Sequence, residues 1–310
     1  MSALADRHVI ITGASSGIGR ASAAAVAAEG ATVFLLARRA EELDVVVSEI
    51  EATGGRAFAY RCDVTDSVAV DTTVAAILSE HGHVDMLVNN AGRSIRRSVY
   101  RSTDRLHDFE RTMAVNYFGA VRMVLALLPH MRERKSGHIV NISSAGVQFS
   151  TPRFAAYLSS KAALDMFTEI TASETLADRI TFTTIHMPLV DTPMIAPSGS
   201  RNAVPPASIE WAAATVVRAL VSKPKRIDVP FGTLAQIGSL ITPRLKERAM
   251  HQFYRRYPDS PAAKGLVVEA KDTEAKDPEA KSHVRRTNST RSSRLAAKGA
   301  RRLIRLMPGT

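Results

Sequence analysis

Hydrophobic and polar positions along the chain fall into two alternating rhythms. Short apolar runs at residues 9–11, 33–36, 57–60, 86–89, 138–142 and 180–186 have the length of buried strands. Longer Ala-rich or amphipathic stretches at 20–29, 41–53, 67–81, 106–134 and 154–177 lie between them and predict helices. Gly30 and the Gly54-Gly55 pair stand where C-terminal helix caps are expected. Strand and helix in regular alternation predict right-handed crossovers, and so a doubly wound α/β fold with a parallel sheet covered on both faces. No internal repeat is visible beyond this alternation. With 310 residues, 45% of them hydrophobic, the chain can bury a sizeable core, which excludes wholesale disorder.

After a last expected strand at 226–229 the pattern changes. Residues 231–257 carry Leu234, Ile237, Ile241 and Leu245 at helical spacing, together with Arg244, Lys246, Arg248, Arg255 and Arg256. Pro243 should kink or split that helix. Its apolar face has two readings: packing on the body or a dimer partner, or walling a pocket for a lipophilic substrate or resting on a membrane. Residues 264–293 are polar and poor in aromatics, so disorder is expected. The segment 295–307 mixes Leu295, Leu303, Ile304, Leu306 and Met307 with Lys298, Arg301, Arg302 and Arg305. It is read as a short helix on an anionic surface or as a solvated tail. The expected division is a catalytic body at 1–230, a helical extension at 231–263 and a basic tail at 264–310.

Charge sharpens that division. The chain holds 41 Lys and Arg against 30 Asp and Glu, a net +11. Nine of those cations and no acid lie in residues 281–310, leaving the body close to neutral. The basic balance therefore belongs to the tail, and no nucleic-acid partner is expected, since the tail lacks interleaved aromatics. A single cysteine, Cys62, cannot form an intramolecular disulfide and favours a reducing compartment. The N-terminal apolar run is too short for a signal-peptide core, and no run of about 18 uncharged apolar residues comes after it. The cytoplasm is expected, with peripheral membrane contact through the tail.

The first strand-to-helix turn reads Thr12-Gly13-Ala14-Ser15-Ser16-Gly17-Ile18-Gly19. Glycines there let a backbone approach a pyrophosphate closely, and the N-terminus of the next helix attracts its charge. Glycines also make ordinary tight turns, so the turn gains weight from the motifs further along the chain. Asn89-Asn90-Ala91-Gly92 comes after the fourth strand and Asn116 falls inside a long helix. Asn141-Ile142-Ser143-Ser144 closes the fifth strand, and Tyr157-Leu158-Ser159-Ser160-Lys161 opens the next helix. In this order, over residues 7–229, the sequence closely resembles the short-chain dehydrogenase/reductase family. The resemblance implies a single Rossmann domain that binds a nicotinamide dinucleotide, with the substrate at the carboxyl ends of the strands. Residues 223–260 are also similar to the C-terminal extensions of actinobacterial lipid-active reductases.

Tyr157 and Lys161, four apart, share one helix face. Tyrosine is a poor acid-base group near neutrality, and a nearby ammonium favours its phenolate, so Lys161 is the candidate to lower the Tyr157 pKa. Tyr157 would then donate a proton to a carbonyl oxygen, or accept one in the oxidative direction. The resemblance implies that Lys161 also holds the nicotinamide ribose. It makes Ser144, thirteen residues before Tyr157, the serine that binds the substrate oxygen, with Ser143 in support. It likewise gives Asn116 a water that links Lys161 to solvent. Asn116 has a plainer reading too, as a helix residue satisfying backbone groups.

By the same resemblance, dinucleotide contacts fall to Gly13, Ser15, Ser16, Gly17, Ile18, Gly19, Asp63, Val64, Asn90, Ala91, Gly92, Pro188, Val190 and Thr192, beside Tyr157 and Lys161. Asp63 could equally be a turn residue. The second strand ends in Ala37-Arg38-Arg39, where an acid would bind the adenosine ribose and repel a 2′-phosphate. Two arginines and no acid favour NADP(H) over NAD(H), although a solvated strand end would look the same. Met187-Pro188 replaces the family's Pro-Gly, which puts a different loop beside the nicotinamide, and residues 195–207 read as a mobile lid. His186 reads as a strand residue. No metal site is expected. The expected activity is NADPH-dependent interconversion of a carbonyl and an alcohol on an apolar small molecule, by a homo-oligomer. The competing class, a non-catalytic NADP(H) sensor or scaffold, would have no use for Tyr157, Lys161, Ser144 and Asn116 together.

Overall fold

The computed structural model describes residues 3–198, 205–260 and 262–264. The middle of the expected lid, the disorder expected at 264–293 apart from Lys264, and the helix expected at 295–307 lie outside them.

Seven parallel strands form one sheet in the order β3-β2-β1-β4-β5-β6-β7. They are β1 (His8–Thr12), β2 (Thr32–Ala37), β3 (Arg56–Arg61), β4 (Met86–Asn89), β5 (Gly137–Ser144), β6 (Ile180–Met187) and β7 (Arg226–Ile227). Side chains alternate across it. Val9, Ile11, Val33 and Leu35 face one buried layer, and Ile10, Phe34 and Leu36 face the other. With both faces covered, the inner strands need unbroken apolar runs, which is why they stand out in the sequence.

The first layer is closed by α1 (Gly17–Ala28), α2 (Ala40–Ala52) and α8 (Ile209–Ser222), and the second by α3 (Ser67–His81), α4 (Leu106–Met113), α5 (Ala120–Glu133) and α7 (Ala155–Glu174). Asp66 caps α3, accepting from the backbone N–H groups of Val68 and Ala69 at 2.9 and 3.2 Å, and Gly82 ends it at φ +79°. The helix expected at 106–134 is continuous but not uniform, because Ala114–Gly119 is a π-helical segment between α4 and α5. This stretch is apolar enough to cross a membrane by composition, yet Met123, Val124, Leu127 and Met131 are fully buried against the sheet.

A short α6 (Ala145–Phe149) follows β5. After β7 come α9 (Gly232–Ile241) and α10 (Pro243–Arg256), separated at the proline that the pattern marks as a break. Strand order reverses between β1 and β4, so a crevice opens at the carboxyl ends of those strands.

Candidate active site

The glycine-rich turn forms one side of this crevice. Gly13 (φ +66°) and Gly17 (φ +54°) occupy backbone conformations that disfavour other residues. A Cβ on Gly13 would lie 2.8 Å from Ala91 Cα, and one on Gly19 only 2.2 Å from the Gly13 carbonyl oxygen. The turn is therefore pressed flat against the segment after β4. Asn90 Nδ2 donates to the carbonyls of Thr12 (2.9 Å) and Gly13 (3.2 Å), while Thr12 Oγ1 accepts from the backbone N–H groups of Asn90 and Ala91 at 3.0 Å each. Asn90 and Ala91, expected as dinucleotide contacts, thus spend these groups shaping the turn. Ser15 is buried within it, Ser16 caps α1 without a side-chain bond, and Ile18 lines the cleft. The geometry fits a pyrophosphate laid on the first turn of α1.

At the adenosine end, Arg38 is exposed and has no ion pair among the described residues, whereas Arg39 pairs with Glu42 at 2.6 Å. Arg61 joins them, donating from Nε to the Arg38 carbonyl at 3.3 Å. The sequence did not single out Arg61. Its only signal was the β2–β3 register that sets it beside Ala37. Asp63 Oδ1 accepts from the Thr65 N–H (2.9 Å) and hydroxyl (2.8 Å), so it does serve as a turn residue, and Val64 packs under Gly119.

Tyr157, Lys161 and Ser144 meet at the floor of the cleft. Ser144 ends β5 and caps α6 by accepting from the Gly146 N–H at 3.1 Å, and it lines the cleft floor beside Tyr157. Burial pushes the Tyr157 phenol above its ordinary pKa, the Ser144 side chain opposes this, and Asp165 adds to it. This corrects the expectation that Lys161 lowers it. Lys161 Nζ instead donates to the Ile142 carbonyl at 2.7 Å, and burial drives that amine down to about 8 against the pull of Asp165. Tyr157 consequently stands as a protonated donor at neutral pH.

Asn116 sits in the π-helical segment, and its amide makes three hydrogen bonds that leave one lone pair on Oδ1. Oδ1 accepts from the Arg93 N–H (2.7 Å), and Nδ2 donates to the Arg93 carbonyl and Ser160 Oγ at 2.9 Å each. It fastens the strand that carries Gly92 to α7. A Cβ on Gly92 would lie 3.3 Å from Asn116 Oδ1 and 3.7 Å from Lys161 Nζ, so a side chain there would crowd Asn116. Ser143 is buried on the cleft wall and its hydroxyl has no protein partner among the described residues. Pro188 lines the cleft, Val190 is buried beside it, and Thr192 closes over Gly17. Backbone bonds to Ala207 from Leu189 and Asp191 (2.7 and 3.0 Å) pin this loop without the family's glycine.

The cleft has a volume of about 430 Å³ and is mostly apolar, with Phe149, Phe154, Leu189, Met194, Phe231 and Phe253 around it. Its outer wall is the C-terminal segment, held by a clamp that the sequence did not reveal. Arg96 donates to the Pro258 carbonyl (2.6 Å), and Arg153 to the carbonyls of Tyr257 (2.6 Å) and Tyr254 (3.1 Å). Arg153 also pairs with Asp259 at 2.7 Å, joined there by Arg101 at 3.3 Å. Although burial opposes it, Arg153 and hydrogen bonds from Ser98 hold the Asp259 carboxyl below its ordinary pKa. The face expected to wall the pocket points outward: Leu234 is 65% and Leu240 84% exposed. α9 meets α6 through its small side, where Gly232 rests on Gln148, so its large residues turn away.

A dinucleotide turn at the strand switch point and a Ser-Tyr-Lys group at the end of an open cleft define a nicotinamide-dependent oxidoreductase. The chain belongs to the short chain dehydrogenase family, whose model matches residues 7–203. It is 52% identical over 256 residues to a fatty acyl-CoA reductase of Acinetobacter baylyi, covering 83% of this chain and 87% of that protein. Among solved structures it is similar to a short-chain dehydrogenase of Streptomyces avermitilis (35% identity, TM-score 0.67, 81% and 97% of the two chains). It is also similar to a metagenomic short-chain oxidoreductase in complex with NADP (30% identity, TM-score 0.62, 74% and 98%). The protein is thus an enzyme that interconverts carbonyl and alcohol groups with a nicotinamide cofactor.

Proposed function

We propose that this enzyme reduces the carbonyl of long-chain acyl compounds with NADPH, and that fatty acyl thioesters are its substrate class. The observation that carries this reading is an apolar cleft that ends on Tyr157 and Ser144. The fatty acyl-CoA reductase relative supports it, as does Arg93, an exposed cation at the cleft with no ion pair among the described residues. When bound, the dinucleotide supplies hydride to the carbonyl carbon. Ser144 hydrogen-bonds the carbonyl oxygen and Tyr157 donates its proton to it. As the C–S bond of the resulting hemithioacetal breaks, its hydroxyl proton passes to sulfur, which releases the thiol and leaves an aldehyde; a second NADPH can reduce that aldehyde to an alcohol through the same groups. Lys161 holds the ribose and returns a proton to Tyr157, through water at Asn116.

Cofactor preference rests on Arg38, free to take the 2′-phosphate, with Arg61 beside it. Residues 1–230 are read as the catalytic body and 231–263 as its wall. Exposed Leu234, Ile237 and Leu240, flanked by Arg244, Lys246 and Arg248, suit peripheral contact with an anionic membrane from the cytoplasm. Exposed Phe118, Leu125, Met166 and Ile170 suit a second copy of the chain.

The test is NADPH oxidation with hexadecanoyl-CoA in the wild type and in Arg38→Ala. The wild type should consume NADPH, and the variant should raise KM for NADPH about tenfold while leaving NADH nearly unchanged, the loss of one exposed charge-assisted phosphate contact. Equal losses with both cofactors would remove the case for NADP(H), and inertness toward acyl thioesters and long-chain aldehydes alike would sink the substrate reading.

A further inference from the structure

His186, which the mechanism does not use, lies at the end of β6 and is 4% exposed. Its Nδ1 is 2.7 Å from Asp228 Oδ1 and its Nε2 is 2.9 Å from Asp165 Oδ2. A neutral imidazole has one N–H and can donate to only one of these carboxylates, so donation to both at once requires the imidazolium. Asp228 is further held by Thr233 Oγ1 at 2.5 Å and by Arg226 at 3.4 Å. Asp165 has no such help. Its second oxygen is buried without a partner, which leaves His186 as the only hydrogen-bond donor to its side chain among the described residues.

Asp165 matters because of where it stands. It follows Lys161 by one turn of α7, and Lys161 follows Tyr157 by one turn, so the three share a helix face. An uncompensated negative charge at Asp165 would oppose ionisation of Tyr157 from about 12 Å along the helix. Glu169, Lys225 and Arg226 border the same recess, one acid against two cations.

We propose that His186 is a positioning residue for the reaction: clamped between Asp165 and Asp228, it fixes Asp165 behind Lys161 and offsets its charge, keeping the Tyr157 proton transferable. The inference deepens the catalytic roles given above for Tyr157 and Lys161. The clamp also reaches the cleft wall, because Thr233 belongs to α9. His186→Gln keeps a donor for Asp165 and removes the charge. It is expected to raise the pH at which Tyr157 ionises by about half a unit to one unit. Asp165→Asn is expected to lower it by a similar amount.

The experiment is an ultraviolet titration of tyrosinate absorbance, with Tyr157→Phe subtracted as background, on the wild type and both variants. It needs no turnover, so a failure of the acyl-reductase reading leaves it intact. An upward shift in His186→Gln and a downward one in Asp165→Asn support the proposal. An unmoved midpoint in either folded variant overturns it and makes His186 a purely structural strand residue. Should His186→Gln not fold, His186→Asn takes its place in the same titration, and an unmoved midpoint there overturns the proposal.

Discussion

Tyr157→Phe is expected to lower kcat by about 10²- to 10⁴-fold while leaving the Kd for NADPH within about threefold. The phenol lines the cleft floor beside Ser144 and, with its pKa above the ordinary value, is protonated and able to hand a proton to a carbonyl oxygen. Phenylalanine keeps the ring and its packing beside Phe154 but removes that proton. The cofactor's phosphates are expected on the glycine turn and Arg38, on other elements, so binding should persist. Stopped-flow hydride transfer and NADPH fluorescence titration separate the two quantities. Turnover within tenfold of wild type would mean that the proton comes from elsewhere. Full retention of function by this variant would also revive the reading of the chain as a cofactor sensor.

A comparable loss, seen in KM instead of kcat, is expected when the outer wall of the cleft is removed. Truncation after Pro230 takes away Phe231, Phe253 and Tyr257 and leaves Arg96 and Arg153 without the acceptors that hold them. The clamp's hydrogen bonds and its ion pair to Asp259 go with the segment, so the truncated chain should also melt at lower temperature. Phe231→Ala combined with Phe253→Ala keeps the clamp and isolates the contribution of the wall. If each ring covers about 40 Å² of an acyl chain, the pair contributes about 2 kcal/mol, or roughly thirtyfold in KM for a long-chain substrate. A short aldehyde should show almost no change. Equal effects on long and short substrates would place the acyl chain elsewhere.

How much was legible depends on which interactions are local. The β2 run was recoverable to within a residue or so because both its faces are buried, and α3 at both ends because Asp66 and Gly82 cap it. The shared face of Tyr157 and Lys161 was recoverable because one helical turn fixes their spacing, whereas Ser144 came from the family resemblance. The clamp was not, since Arg153 meets backbone carbonyls about a hundred residues later and nothing in residue type marks a carbonyl acceptor. The helical period of residues 231–257 revealed an apolar face but not its direction, which Gly232 against Gln148 decides. The electrostatics of Tyr157 were misjudged for a similar reason. Proximity to Lys161 is visible in sequence, but the desolvation of Tyr157 at the cleft floor is a tertiary fact. His186 looked like an ordinary strand residue until α7 and the end of β7 brought an acid to each of its nitrogens.

The central claim is that hydride passes from NADPH to the carbonyl carbon of a long acyl chain at Tyr157. Its most direct measurement is mass spectrometry of the product formed from hexadecanoyl-CoA and NADPH deuterated on the transferring face at C4. The account predicts hexadecanal carrying one deuterium at C1, or hexadecanol carrying two, with no such product from Tyr157→Phe. Consumption of NADPH without deuterium at C1 of the product, or labelled product at wild-type rates from Tyr157→Phe, would contradict it.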